Sequence, residues 1–229
     1  MKYPKIRSPL YNRLLARFKF AQWKFVRKSK YVIKRFVDIA AVLPALVCLS
    51  PLFIVVAAFI KLHDRGPVLF WQPRVGKDGV IFAFPKFRSM VVNSEVIRAK
   101  LLADNQHGQS GVTFKMKRDP RITPIGRFIR RFSIDELPQL WCVLTGDMSL
   151  VGPRPPIISE VEKYTMKDRA RLSVTPGLTS IWAVSGRSEI PFPQQVDMDI
   201  EYIQQQSTFN DIKLLLKTVP AVLKGKGAY

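Results

Sequence analysis

Cysteine, histidine and acidic side chains are scarce in this chain, and each scarcity closes off a class of function. With only Cys48 and Cys142 among 229 residues, there is neither a disulfide framework nor a cysteine metal cluster. One lies in an apolar run and the other after a leucine-rich turn, so both read as buried thiols of a reducing compartment. His63 and His107 stand far apart in sequence, which leaves zinc chemistry without a ligand set. Asp and Glu number 17 against 37 Lys and Arg, a formal net charge of +20 that invites either nucleic acid or an anionic membrane surface. Not one acidic residue precedes Asp38, whereas twelve Lys and Arg do. Met1 opens onto polar basic sequence with no short apolar core and no small-residue cleavage site, so no cleaved leader is expected. There is no internal repeat and no low-complexity tract.

What the chain does have is one long apolar run, IAAVLPALVCLSPLFIVVAAFI, from Ile39 to Ile60. An unkinked helix of that length would measure roughly 33 Å, enough for a hydrocarbon core of about 30 Å. Ser50-Pro51 stands at its middle, however. Proline removes a backbone donor and disfavours helix at the residue before it, so the expected form is a helix, a break and a second helix, each limb reaching about one leaflet. The Ser50 hydroxyl can partner the backbone group that the break frees. Lys61 and Arg65 follow the run, and basic flanks on both sides place both ends on the cytosolic face. A re-entrant segment satisfies this; an ordinary kinked transmembrane helix is the alternative.

In residues 10–36 the basic residues alternate with Leu14, Leu15, Phe18, Trp23, Phe25 and Val26, the composition of a helix lying among lipid headgroups. Each Lys or Arg near anionic lipid contributes roughly 1 kcal/mol, so anionic membrane lipid is the expected partner. A solvated basic arm or an RNA-binding helix is the competing account, disfavoured by the apolar run beside it; no nucleic acid is expected. Near the other terminus Ile212, Leu215, Leu216, Val219 and Val222 fall roughly on one helical face, which suits a second interfacial helix or an amphipathic core helix.

Between these segments, GPVLFWQPRVGKDGVIFAFPKFRSMVV reads as two strands around the turn Gly76-Lys77-Asp78-Gly79. Residues 93–104 look helical and 105–113 form a polar loop. A basic helix then precedes a short turn and an apolar helix, residues 160–171 read as one more helix, and Pro176-Gly177 opens a loop toward Trp182 and the Ser185-Gly186-Arg187 turn. The expected division is a basic amphipathic segment over 1–33, a membrane helix over 34–62 and a catalytic domain over 63–229. The expected fold class is α+β, mainly helical, monotopic in the membrane.

Asp135 and Glu136 are the leading chemical candidates. Neighbours on a helix point about 100° apart, so the two carboxylates can act on different groups. Aspartate can attack phosphorus and can ligate a hard cation such as magnesium. Arg127, Arg130 and Arg131 precede the pair, Arg154 follows, and Lys86 and Arg88 sit in KFRSM; guanidinium groups suit phosphate oxygens. The same residues have a plainer reading, in which Ser133-Ile-Asp-Glu136 is a capping box and the arginines a solvated or lipid-facing stripe. Spacing alone leaves both open.

SIDELPQLWCVLTGDMSLVGPRPP closely resembles the signature S-[LI]-D-E-L-P-Q-L…G-[DE]-M-S-[LIF]-[VI]-G-P-R-P of the bacterial sugar transferases, the monotopic phosphoglycosyl transferases. The similarity takes in KRFVD, the Ser50-Pro51 step, GPVLFWQPRVGKDGVIF, KFRSM, DPRITPIGRFIRR, VTPGLTSIW, SGRSE and LKTVPAVLKGKGAY, covering most of residues 34–229. The resemblance implies transfer of a sugar 1-phosphate from a UDP-sugar to a polyprenyl phosphate such as undecaprenyl phosphate, with release of UMP, at the cytosolic face of the bacterial inner membrane. It implies Asp135 as the nucleophile forming a phosphosugar intermediate and holding Mg2+, Glu136 as the base, and Arg88, Arg130, Arg154 and Arg187 as phosphate contacts. Galactose or glucose are the expected sugars, N-acetylated sugars being open as well. Ser180 departs from the glycine usual after PGLT, which puts that loop's shape in question, and residues 1–30 match no family motif. The chain resembles the short form carrying the catalytic core. Oligomeric state is not legible. A membrane-surface scaffold with the same fold but no transfer activity is the rival from another class.

Overall fold

The computed structural model describes residues 9–94, 96–97 and 119–224. His107, the expected loop at 105–113 and most of the expected helix at 93–104 lie outside those residues, although Ser94, Val96 and Ile97 are helical.

Helix α1 runs from Pro9 to Asp64 and is continuous across the expected boundary at residue 33 and through both Pro44 and Pro51. The expected interruption is therefore not a loss of helix. Its physical reason is local: Pro51 has no N–H for the Val47 carbonyl, and the Ser50 hydroxyl donates to that oxygen at 2.8 Å. One stripe of α1, Val42, Leu46, Leu49, Phe53, Val56 and Ile60, faces the rest of the protein at helical spacing. The opposite face leaves Leu43, Val47, Ile54, Phe59 and Leu62 more than half exposed. Cys48, expected to be buried, lies on this open side, while Cys142 is buried. Over its first half the helix projects Arg13, Arg17, Phe18, Lys19 and Phe20 outward. The stretch Ser29–His63 is long and apolar enough to cross a membrane.

Strands β1 (Leu69–Val75) and β2 (Ile81–Phe87) pair antiparallel, as the turn residues predict, with Asp78 at a positive φ of 55° in the connection. Helix α2 (Pro124–Arg131) begins at Thr123, whose hydroxyl accepts from the Gly126 amide. A 3₁₀ turn, Ile134–Gln139, leads into α3 (Leu140–Thr145), which Gly146 ends at φ 98°. Strand β3 (Ser149–Val151) pairs in parallel with β4 (Gly177–Thr179), so the loop expected at Gly177 is a short strand. The single helix expected over 160–171 is two, α4 (Ile158–Val161) and α5 (Met166–Arg169). Thr165 restarts the helix through a reciprocal cap with Asp168, and the break lets Tyr164 turn inward. Helices α6 (Ile181–Ser185), α7 (Phe192–Gln204) and α8 (Thr208–Lys224) complete the chain. The expected apolar face of α8 divides: Leu215 packs on the core, whereas Ile212, Leu216 and Val219 are exposed with Phe209.

Two apolar clusters join α1 to this domain. Val42 packs with Phe82, Phe84, Val143, Met148 and Val151, and Val56 and Ile60 pack with Phe87 and Ile129. Each fully buried side chain of this size contributes roughly 1.5 to 3 kcal/mol. A polar clasp reinforces the first contact. The Lys34 ammonium is 2.6 Å from Asp211, Arg35 donates to the Val143 and Leu144 carbonyls, and the Leu150 amide donates to Asp38 at 3.1 Å.

Candidate active site

Ser133 sets the geometry of the acidic pair. It adopts φ 55° and ψ 23°, turning the chain sharply between α2 and the 3₁₀ turn, and its hydroxyl caps nothing. The capping-box reading therefore fails: a left-handed residue cannot aim its side chain at the following amides, and only its carbonyl receives the Glu136 N–H, at 3.2 Å. The Glu136 carboxylate is directed instead to Arg154, at 2.9 Å, with Lys86 at 3.9 Å. Asp135 is buried, and Pro138 and Gln139 are buried behind it.

The loop after β3 carries Arg154. Gly152 and Gly177 pass so closely that a Cβ on Gly177 would lie 2.0 Å from the Gly152 nitrogen, which only glycine permits. The Gly152 amide donates to the Thr179 carbonyl at 2.9 Å and the Gly177 amide to the Pro153 carbonyl at 2.8 Å. Ser180, where the sequence departs from the family pattern, holds its loop by capping α6: its hydroxyl accepts from the Ala183 amide at 3.2 Å.

A cleft of about 740 Å³ gathers the candidates. Asp135, Glu136, Lys86, Arg88, Arg130, Arg154 and Arg187 all line it. Arg127 and Arg131 do not; both are exposed on the outer side of α2. Arg187 is half-buried at a left-handed φ of 54°. Such a conformation costs a non-glycine residue energy and tends to occur at functional sites. The cleft also contains Gln72, Arg74, Glu160 and Tyr164, which sequence reasoning did not single out. For Arg74 the available signal was a charged residue at the end of a strand, next to the buried Val75.

The electrostatics separate the two carboxylates. Burial, reinforced by the charge of Glu136, raises Asp135 to about 6. Burial acts on Glu136 in the same sense, but Arg154 and Lys86 outweigh it and hold Glu136 down to about 2. Burial and the neighbouring Arg154 draw Lys86 down to about 7. Burial lowers Arg187 while Glu136 opposes the shift. Asp135 is thus raised toward neutrality with no ion pair among the described residues, whereas Glu136 is an anion held between cations.

No group of three or more metal-binding side chains occurs among the described residues. Magnesium does not need one, because it commonly binds one or two carboxylates and takes its other ligands from substrate phosphates and water. Asp135 shares its cleft with Arg88, Arg130, Arg154 and Arg187, so its single carboxylate is compatible with that mode of binding.

The chain matches the family described as bacterial sugar transferase over residues 29–225. It is 48% identical over 207 residues to a protein named galactosyl transferase CpsE from Streptococcus agalactiae, covering 90% of this chain and 45% of that one. It is 42% identical over 210 residues to an undecaprenyl-phosphate galactose phosphotransferase from Salmonella typhimurium, covering 91% of this chain and 44% of that one. With the exopolysaccharide production protein ExoY from Sinorhizobium fredii it shares 36% identity over 206 residues, covering 89% and 91%. The chain thus spans less than half the length of the first two relatives and nearly all of the third.

Proposed function

This chain belongs to the bacterial sugar transferase family, and from that membership we propose that it transfers a sugar 1-phosphate from a UDP-sugar to undecaprenyl phosphate or a similar polyprenyl phosphate, releasing UMP. The product begins an exopolysaccharide, capsule or O-antigen glycan. Relatives named for undecaprenyl-phosphate galactose and glucose transfer support that acceptor and a hexose as the sugar. The observation that carries the reading is the buried Asp135 in a cleft shared with Glu136, Lys86, Arg88, Arg130, Arg154 and Arg187.

Two displacements at phosphorus account for the arrangement. In the first, an Asp135 carboxylate oxygen attacks the sugar-bearing phosphorus. A bond to the carboxylate forms, the bond from that phosphorus to the bridging oxygen breaks, and the electron pair leaves on UMP. In the second, a phosphate oxygen of the lipid attacks the same phosphorus and the Asp135 carboxylate departs. The arginines hold the phosphate oxygens through paired donors and share their charge. Glu136 is the base that receives a proton from the lipid phosphate. Held down to about 2 by Arg154 and Lys86 it is a poor acceptor, so it becomes a base when Arg154 turns to a phosphate. Magnesium, held by Asp135, would supply further neutralisation of the diphosphate.

Two contacts of α1 support a placement in the membrane. Lys34, Arg35 and Asp38 bind the domain at one end of the apolar run, and Val56 and Ile60 pack on it at the other. A spanning helix would separate these ends by about 30 Å of hydrocarbon and drag a charged domain with it. A helix that stays hydrogen-bonded but bends at its internal prolines, Pro44 and Pro51, so as to enter one leaflet and return, with its open face of Leu43, Val47, Ile54 and Phe59 in lipid, leaves the cleft at the inner membrane's cytosolic surface, where a soluble donor meets a lipid acceptor. The basic first half of α1 and the exposed stripe of α8 lie on anionic lipid beside it.

Incubating the purified protein with each member of a UDP-sugar panel tests the reading. A sugar-phosphate mass added at Asp135 as UMP is released, followed by loss of that mass to the lipid on lipid addition, is the expected result. Asp135→Asn is expected to lower turnover by about a thousandfold or more. Full turnover by that variant would show the nucleophile to be wrong.

A further inference from the structure

We propose that Arg74 is a positioning residue for the transfer, holding the loop that bears Arg154 and thereby the contact of Arg154 with Glu136. The chemical role of that contact rests on the function proposed above; the mechanical link does not. Arg74 is buried at the end of β1, and its guanidinium is spread over three supports. One terminal nitrogen donates to the Pro155 carbonyl at 3.0 Å, the other donates to the Gln72 side-chain oxygen at 2.9 Å, and its carbon lies 5.1 Å from the centre of the Phe84 ring. The backbone adds a second fastening, because the Val75 amide donates to the Pro156 carbonyl at 2.9 Å and Arg74 bridges to Ile157. Arg154 stands one residue before the anchored Pro155 carbonyl, between two prolines that restrict its backbone. From there its guanidinium reaches Glu136 at 2.9 Å. A force on the Arg74 guanidinium is thus transmitted to the catalytic pair through a single peptide.

A buried cation beside another cation is a costly way to brace a loop. Burial first, and then the charge of Arg154, draw Arg74 down to about 10, so it stays charged at neutral pH. Its Nε is buried with no partner, in the wall of the cleft. A neutral brace would hold the Pro155 carbonyl at less electrostatic expense. What the guanidinium adds is a rigid fork that fixes two acceptors at once, together with positive potential on the side of the cleft that receives the diphosphate.

Arg74→Gln and Arg74→Lys test this in the detergent-purified full chain. Arg74→Gln is expected to lower kcat roughly ten- to hundredfold, the range over which a supporting partner tunes a site, with the donor KM moving less than about threefold. In an Arg154→Gln background the same change is expected to cost less than about threefold, because Arg74 acts through Arg154. Arg74→Lys keeps the charge but offers one nitrogen instead of a fork, and should remain about tenfold down. Wild-type rate in Arg74→Lys, or a full additive loss on top of Arg154→Gln, overturns the proposal. Hydrogen exchange supplies a readout free of activity: either variant should speed exchange at the amides of Val75, Arg154 and Ile157 while leaving β3 and α3 unchanged. Unchanged exchange there also overturns it. Should Arg74→Gln fail to fold, Arg74→Lys carries both comparisons. Absence of UMP release by the wild type from every UDP-sugar breaks the functional reading instead, and the exchange result still decides the role of Arg74.

Discussion

Two of the places where the protein buries charge are treated differently. At the clasp between α1 and α8, Lys34 meets Asp211 at 2.6 Å and also donates to the Val151 carbonyl at 3.0 Å, while the Tyr202 hydroxyl lies 2.9 Å from both that carbonyl and Asp211, with one proton to share between them. One cation answers one anion, and neutral groups take up the remaining hydrogen bonds. In the cleft the balance is broken. Glu136 has Arg154 and Lys86 upon it, Arg74 lies behind them, Arg88, Arg130 and Arg187 line the same space, and Asp135 is pushed up by burial and by its neighbour. A matched pair is what a fold needs; a surplus of buried cations is what a site for a multiply charged anion needs.

The largest expected effect sets one region against the other. Asp211→Asn strands the Lys34 ammonium and should cost about 3 to 5 kcal/mol, whereas the same type of change at Asp135 removes a carboxylate that burial and Glu136 already disfavour and should leave the unfolding midpoint unchanged or raised. Denaturant unfolding of both variants in detergent checks this; equal destabilisation would erase the distinction between clasp and cleft.

Gly177→Ala comes next, because β3 and β4 serve both regions. Val151 at one end accepts from Lys34, and Arg154 lies a few residues beyond it. The added methyl would meet the Gly152 nitrogen at 2.0 Å. An overpacking cost of about 1 to 3 kcal/mol is expected, together with loss of turnover greater than that destabilisation explains, measured at a temperature where the variant is folded.

Much of the cleft was legible through the family resemblance, which implied Arg88, Arg130, Arg154 and Arg187 beside Asp135 and Glu136, and all six residues line one cleft, whereas spacing alone left a plainer reading open. The local geometry was not. Ser133 fits a capping box in sequence and fails it in structure because its backbone is left-handed, a choice made by the turn between α2 and the 3₁₀ segment. The hairpin was read from its turn residues, yet Arg74 within it was passed over, since its importance comes from Pro155, 81 residues away. Ser50-Pro51 was read as a break, but a side-chain hydrogen bond satisfies the exposed carbonyl and the helix continues. In each case the missing information was a partner distant in sequence or a dihedral angle that composition does not encode.

Titration offers a subtler separation. Asp135 is raised, so between its unfolded value and about 6 the folded state holds the extra proton, and stability falls as pH rises through that window. Lys86 is lowered to about 7, so between about 7 and its unfolded value the unfolded state holds the extra proton, and stability rises with pH there. Above about pH 4.5, where Glu136 is ionised in the folded and unfolded states alike, the cleft therefore makes the ligand-free protein least stable near neutrality. Asp199, also raised to about 6 by burial, adds to the acidic slope, so the contribution of the cleft is read by difference. Asp135→Asn should flatten the acidic slope in part, and Lys86→Met should flatten the alkaline one. Unaltered slopes in both variants would mean that the cleft carries no electrostatic strain.

The smallest expected effect concerns arginines that share a helix with Arg130 but not its surroundings. Helix α2 turns about 100° per residue, so Arg131 cannot face the cleft that Arg130 lines, and Arg127 is exposed as well. If the cleft's arginines matter because they converge on phosphate, Arg127→Gln and Arg131→Gln should change kcat/KM by less than about threefold with lipid in excess. If these two instead lie against anionic lipid, each should weaken binding to vesicles containing phosphatidylglycerol by about fivefold, the equivalent of roughly 1 kcal/mol per charge, and added salt should abolish the difference. A large loss of turnover without a change in vesicle binding would place them among the phosphate contacts and would extend the cationic site beyond the cleft to the outer face of α2.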